Sequence, residues 1–385
     1  MKRIAAILAF IALISGSFAK ASVADSTDVY LLTCAPGNES YSIYGHSAIR
    51  IVIRGENFDR VYNWGLFDFS APNFAFRFAK GKLDYMVGGT GYNAFLNEYV
   101  SEGRSVWSQR INLTNTEKEN LFALINENLK PENTKYRYDF FFDNCATRIR
   151  DIIEKAAVDT VIYAEKKKRQ TFRQLIDPRQ KVLPWLDLGA DFLLGLQADR
   201  KASPSEEMFL PVYLMDNLSS ARVIRNGSPA ELLGPPEAVL DFTGAIKEKS
   251  RPWIPQALLY AVLLFIVLVT FVFGSPVLGL TTDIIIYAVF SLLSILLVFT
   301  NFFSEHDAMH FNLLILAINP LIPVLLVFIL IRKKAVILSR TALTLALLFF
   351  PAALIAGQGI NPAIIPLVLI LMVRLFKHCE FGKSI

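Results

Sequence analysis

Cys145 and His46 are the two residues whose types and settings suit nucleophilic chemistry. Cys145 follows Asp143-Asn144, residue types that cap helices, and precedes Ile149, Ile152, Ile153 and Ala156 at helical spacing. The aromatic run from Tyr136 to Phe142 just before it reads as a buried strand. The thiol is therefore expected in the first turn of a helix, where unpaired N–H groups and the helix dipole favour the thiolate nucleophile. His46 is the only one of four histidines in the first two-thirds of the chain, and it opens the strand-like segment to Ile53. These features point to a Cys145–His46 dyad. Taken singly, such a Cys is more often a small buried hydrophobe, and such a His a satisfied core residue. An antiparallel strand over 59–69 would bring Asn63 or Tyr62 to orient the imidazole. An oxyanion would fall to the backbone N–H of Cys145, with help from Asn144.

The elements carrying these residues form an α+β pattern. Strands are predicted over 28–33, from His46 to Ile53, over 59–69, 84–88 and 106–113. Helices are predicted over 71–80, 92–100 and 116–129. Residues 1–24 read as a secretory signal, with Lys2 and Arg3 ahead of an apolar core and small-residue cleavage sites at Ala19 and Ala24. The domain organisation expected is a signal peptide over 1–24, a thiol domain over 25–160 and a helical juxtamembrane region over 161–255. A membrane domain over 256–376 and a tail over 377–385 complete it. Three cysteines are present, and a Cys34–Cys145 disulfide is the rival to a reactive Cys145. The basic run Lys166–Arg169 reads as a solvated helix face, and Arg148 and Asp151 as an i, i+3 ion pair.

Hydrophobic residues make up 53% of the chain, Phe numbers 30, and mean hydropathy is +0.40, too apolar for an ordinary soluble protein. Five apolar stretches, at 256–274, 283–303, 310–331, 336–356 and 360–376, approach the roughly 20 residues needed to cross a bilayer. Arg332, Lys333, Lys334 and Arg340 follow the third, and Arg374 and Lys377 follow the fifth. The positive-inside rule then puts the C-terminus in the cytoplasm and residues 25–255 outside the inner membrane, in agreement with the signal. The same count places Glu305, His306 and Asn312 on the outer face, as residues that can contact a membrane-side substrate. The net charge of +5 and the lack of a basic run interleaved with aromatics exclude nucleic acid as a partner. The scattered Cys and His residues fit no zinc spacing, so no metal or other cofactor is expected.

Several stretches resemble a known family. Cys34-Ala35-Pro36-Gly37, Tyr41 to Arg50, Val61 to Phe69 and Phe142 to Asp151 look like the exported domain of the Lnb-type lipoprotein N-acyltransferases of Bacteroidota. Phe302-Phe303-Ser304-Glu305-His306, Asn312-Leu313-Leu314 and Asn319-Pro320-Leu321 look like that family's membrane portion, although Asp307 stands where the family pattern has Pro. The order of the His strand and the Asn-Cys helix is also similar to circularly permuted papain-like folds. The resemblance implies a permuted papain-like α+β domain followed by an all-α bundle of five transmembrane helices. It implies a phospholipid acyl donor, a diacylated lipoprotein acceptor and an acyl-thioester on Cys145. The rivals are a membrane-anchored cell-wall thiol amidase or peptidase, and a non-enzymatic membrane assembly protein.

Overall fold

A computed structural model describes residues 23–380 other than 69, 71, 166–167, 226 and 244–249. The signal segment up to 22, Lys166, Lys167 and the last five residues of the tail lie outside the described residues.

The exported part begins with β1 (Thr27–Cys34), β2 (His46–Ile53), β3 (Phe58–Leu66), α1 (Phe74–Ala79) and β4 (Asp84–Gly91). It continues with α2 (Tyr92–Glu102), β5 (Val106–Arg110), α3 (Asn115–Leu129), β6 (Lys135–Arg137) and α4 (Cys145–Ala156). After β7 (Val161–Ile162) come α5 (Phe172–Gln180), α6 (Pro184–Leu193), α7 (Pro204–Glu207) and α8 (Pro211–Ser220). Then follow β8 (Arg222–Arg225), β9 (Ser228–Glu231) and β10 (Glu237–Leu240). Seven strands form one sheet in the order β10-β5-β1-β2-β3-β4-β6, with antiparallel neighbours.

Alternation along the strands divides the core between the two faces. Leu31, Ile49, Ile51 and Trp64 face α3 and α4, where they meet Leu121, Ile125, Ile149 and Ile153. Leu32, Ala48 and Val61 face α2, where they meet Phe95 and Tyr99. Burial of this apolar surface, at about 25 cal/mol per Å², holds the layers together.

Two readings of the sequence change here. The aromatic run before Cys145 is not a strand: β6 ends at Arg137, and Phe140–Phe142 form a turn. Asp139 Oδ1 accepts from the N–H groups of Phe141 and Phe142, and the backbones of Asp139 and Asp143 exchange hydrogen bonds at 3.0 Å. Local side-chain bonding outcompetes aromatic strand propensity. The second change lies beyond residue 160. β10 joins the edge of the main sheet beside β5, and Leu214 and Leu218 of α8 enter the α3–α4 side core. The exported unit therefore runs through Leu240.

The C-terminal region is helical: α9 (Ile254–Phe271), α10 (Pro276–Phe302), α11 (Leu314–Ala317), α12 (Leu321–Leu330), α13 (Val336–Ala356) and α14 (Ile364–Glu380). By length and composition α9, α10 and α13 are able to cross a membrane. The third apolar stretch is broken at Ile318-Asn319-Pro320. Asn319 Nδ2 donates to Leu316 O at 3.2 Å and Ala342 O at 3.3 Å there, and Pro320 lacks the N–H a continuing helix needs. The fifth stretch, α14, carries Arg374 into the bundle rather than into water. Its Nε donates to Asp283 Oδ1 at 2.6 Å, Nη1 to Thr270 Oγ1 at 2.7 Å and Nη2 to Gly279 O at 3.1 Å, so one guanidinium ties α9, α10 and α14. Arg374 is fully buried, which removes it from the charges that can mark a cytoplasmic surface.

The exported unit is fastened to one end of the bundle. Ser304 Oγ donates to Ala79 O at 2.8 Å, Glu305 N–H to Lys80 O at 3.0 Å and Gly195 N–H to Ala308 O at 2.9 Å. A Cβ at Gly195 would lie 1.9 Å from His310 O, so only glycine permits this approach. Nearby, Asn361 Nδ2 bridges Asp187 Oδ2 and Asp191 Oδ2 at 2.9 and 3.0 Å.

Candidate active site

Cys145 is the first residue of α4, and Asn144 caps the helix. Asn144 Oδ1 accepts from the N–H groups of Ala146 and Thr147 at 2.8 and 3.0 Å. Its Nδ2 donates to Phe140 O at 2.7 Å and Phe209 O at 2.9 Å. All of its hydrogen-bonding capacity is thus engaged and its side chain is buried, so Asn144 is a structural staple rather than an oxyanion donor.

Three other groups serve the sulfur. The backbone N–H groups of Ser47, Ala146 and Cys145 itself favour the thiolate electrostatically. Burial nevertheless raises the Cys145 pKa above its ordinary value, and these N–H groups only offset part of that effect. The helix start does not give a resting thiolate; it gives a protonated thiol ringed by donors that stabilise negative charge once it forms. Cys145 is partly exposed and Cys34 is buried, and the two are separate free cysteines. Burial pushes the Cys34 thiol up to about 12, which leaves it inert.

His46 opens β2 directly after Gly45, whose positive φ of 83° turns the chain into the strand. A Cβ at Gly45 would fall 2.7 Å from Cys34 O. The imidazole Nε2 donates to Asn63 Oδ1 at 3.1 Å, which leaves Nδ1 as the lone-pair nitrogen of the neutral ring. Burial pushes the His46 pKa down to about 4; the Asn63 hydrogen bond opposes this and Arg104 adds to it. The ring is therefore a neutral base at any pH near 7. Tyr62 lies on the opposite face, packed against the α3–α4 side core, so Asn63 rather than Tyr62 orients the imidazole.

His46 and Asn63 line a cavity of about 340 Å³ with Tyr41, Phe67, Tyr99 and Arg104, on the α2 side of the sheet. α4 packs on the other side. No hydrogen bond joins imidazole and sulfur among the described residues; the Ser47 N–H, next in the chain to His46, favours the Cys145 thiolate. At this end of the sheet the β3–β4 register shifts between Asn63 and Leu66. Gly65, with φ 89°, is a thin wall there: it lines the cavity, and a Cβ on it would lie 3.7 Å from Cys145 Cβ.

The membrane-side candidates lie elsewhere. His306 Nε2 donates to Phe78 O at 2.7 Å, and Glu305 pairs with Lys82 at 2.9 Å. Asn312 is buried; its Nδ2 donates to Phe192 O at 2.8 Å, and its Oδ1 accepts from Leu314 N–H and Gln358 Nε2 at 3.0 and 2.9 Å. All three fasten the exported unit to the bundle or the outer loop to itself, and none lines the cavity. Arg148 pairs with Asp143 through two bonds of 2.6 and 2.8 Å rather than with Asp151, which takes Arg150 instead. Sequence reasoning missed the Ser47 amide, which favours the Cys145 thiolate. A backbone donor leaves no residue signature. Among the described residues no group of three His, Cys, Asp or Glu is placed to hold a metal ion.

Comparison with known families decides the kinship of this architecture. Residues 17–178 match the Lnb N-terminal periplasmic domain, and residues 247–383 match the Lnb transmembrane domain. The chain belongs to the Lnb-type proteins. No curated protein and no solved structure matches it. This Lnb-type chain thus combines a periplasmic α+β domain with a helical membrane domain, and Cys145, His46 and Asn63 all fall in the first.

Proposed function

We propose that the chain is a membrane-bound lipoprotein N-acyltransferase. It moves an acyl chain from a phospholipid to the N-terminal amine of a diacylglyceryl-cysteine lipoprotein through a Cys145 acyl-thioester. The observation that carries this reading is the site itself. A partly exposed thiol at a helix start lies behind Gly65, which also lines the cavity of a neutral imidazole oriented by Asn63, in a domain fastened onto an apolar helical bundle. Membership of the Lnb-type proteins supports a lipoprotein-modifying role.

In the first step His46 Nδ1 takes the thiol proton as Sγ attacks the donor ester carbonyl. A small rotation of the ring or one bridging water completes the relay across Gly65. The N–H groups of Cys145 and Ala146 stabilise the tetrahedral oxyanion. Collapse expels the lysophospholipid alkoxide, which takes the proton from the imidazolium. In the second step the free lipoprotein amine attacks the thioester, His46 accepts its proton, and the intermediate collapses to the amide as Cys145 leaves and takes that proton back from the imidazolium. The order of a His strand before a Cys helix supports a permuted papain-like reading of the domain. The cluster Arg332, Lys333, Lys334 and Arg340 supports a cytoplasmic side for the end of the bundle remote from the exported unit.

The test is reconstitution in phospholipid vesicles with a diacylated lipopeptide. The expected product is a lipopeptide heavier by one acyl chain, with lysophospholipid in equal amount and a thioester trapped on Cys145. Peptide cleavage without acyl transfer would instead establish a thiol peptidase.

A further inference from the structure

We infer that α1 and a row of aromatic rings behind it form a track along which an acyl chain of a bilayer lipid passes from the membrane to Cys145. The inference rests on the acyltransferase reading and deepens it, because it assigns the binding surface for the donor's apolar part.

α1 is rich in phenylalanine, and it displays them. Phe76 is 59% exposed and Phe78 is 46% exposed, on a helix of an extracytoplasmic domain where water would disfavour both. Their position accounts for them. The Phe76 ring lies 6.3 Å from that of Phe299 on α10, and Phe78 lies 5.9 Å from His306 in the loop that follows. Phe302 and Phe303 at the same end of α10 are also exposed. α1 therefore continues the apolar surface of a helix long enough to cross a membrane. The occupant fitted to such a continuous surface is the acyl region of the outer leaflet. Arg77 holds the helix in place through Asp84 at 2.9 Å, so the exposure belongs to a pinned element.

The rings then lead inward. Phe78 and Phe74 share a face of α1 and stack at 6.3 Å. Phe74 meets Phe67 at 6.1 Å, Phe67 meets Tyr85 at 5.1 Å, and Tyr85 stacks on Tyr138 at 4.1 Å. Tyr138 and Cys145 both pack against the α3–α4 side core. Phe67 also lines the His46 cavity. Phe67 and Tyr138 are half-buried against the main core and Tyr85 is buried within it, which gives a methylene chain an apolar floor between bilayer and thiol. The track delivers an ester from the side, at membrane depth, and needs no extraction of the lipid into water.

The experiment places a benzophenone amino acid at Phe78, at Phe67 and at the exposed Glu119 of α3, in the full chain. The chain is reconstituted in phosphatidylethanolamine–phosphatidylglycerol vesicles bearing an alkyne-tagged acyl chain. Photocrosslinks to lipid are expected at positions 78 and 67 and not at 119. Position 67 labelling no more than 119 would overturn the track. In parallel, Phe67→Ala and Phe74→Ala are expected to raise the apparent KM for vesicle lipid about tenfold, with the rate of Cys145 alkylation by iodoacetamide unchanged. A parallel loss of alkylation would show a merely structural role and overturn the assignment. Crosslinking needs no turnover, so the two readings separate. Crosslinks without any acyl-thioester would sink the transferase and leave the track, whereas acyl-thioester without crosslinks at 67 would do the reverse.

Discussion

His46 and His306 occupy two regions of one molecule and show what a histidine's surroundings make of it. Each uses Nε2 to reach an oxygen: His46 that of the Asn63 side chain, His306 the main-chain carbonyl of Phe78. The first lines a cavity with room for a ligand, whose wall at Gly65 backs onto Cys145. The second sits in a loop whose neighbours Ser304 and Glu305 also bond to α1 and the turn after it. Residue type and the use of Nε2 are the same, and the surroundings differ: a cavity around His46, a fastening loop around His306. A polar residue in an outer membrane loop is therefore as readily a fastener as a substrate contact.

The sharpest way to break this contrast is to remove the chemistry from one region and the fastening from the other. Cys145→Ser and His46→Gln should each lower N-acylation by about 10³-fold or more, with the thermal unfolding midpoint close to that of the parent. Unfolding of either variant would undo the assignment. Gly65→Ala should lower activity by about 10- to 100-fold, since a side chain would strain the positive φ and fill the gap beside Cys145. His306→Ala should change activity less than about threefold while lowering stability by about 1 kcal/mol, the net worth of one hydrogen bond. A 10²-fold loss there would erase the distinction between the regions.

Titration sharpens it further. With the His46 pKa near 4, the base is deprotonated above that pH, so the acid limb of the rate profile should fall near 4, below the usual imidazole range. Asn63→Asp should move this limb upward by about a unit, because a carboxylate stabilises the imidazolium. The smallest effect belongs to the fastening side. Burial, then Asp191, push the Asp187 pKa up to about 6, so the fold prefers its neutral carboxyl. That preference stabilises fully below the ordinary carboxylate value and is lost as pH rises through 6. Asp187→Asn should add on the order of 1 kcal/mol at pH 8 and nothing at pH 4, read from denaturation at both.

Much of the site was legible because its parts are local. Capping residues ahead of an amphipathic run mark the start of α4, and the apolar run after His46 marks β2, while the choice of Asn63 over Tyr62 comes from the β2–β3 register. The rest depends on tertiary surroundings. Nothing at Cys145 itself states that burial outweighs three N–H groups, and nothing at Asn144 states that Phe209, 65 residues on, takes its amide. The turn at 140–142 hides behind aromatic residues of strand type, and β10 is a short segment whose partner lies far back in the chain. In the bundle, hydrophobicity announces apolar stretches but not the break before Pro320.

The guanidinium of Arg374 sets an order on biogenesis. Its counterion Asp283 is on α10, so that helix enters the bilayer carrying a carboxylate whose partners Arg374 and His378 both lie on the last helix, whereas the Thr270 hydroxyl of α9 already bonds Ile266 O within its own helix. A chain released short of Arg374 would strand a carboxylate among lipids. The terminal helix thus acts as a proofreading step, and quality-control proteases would find truncated copies by the charge they leave uncovered.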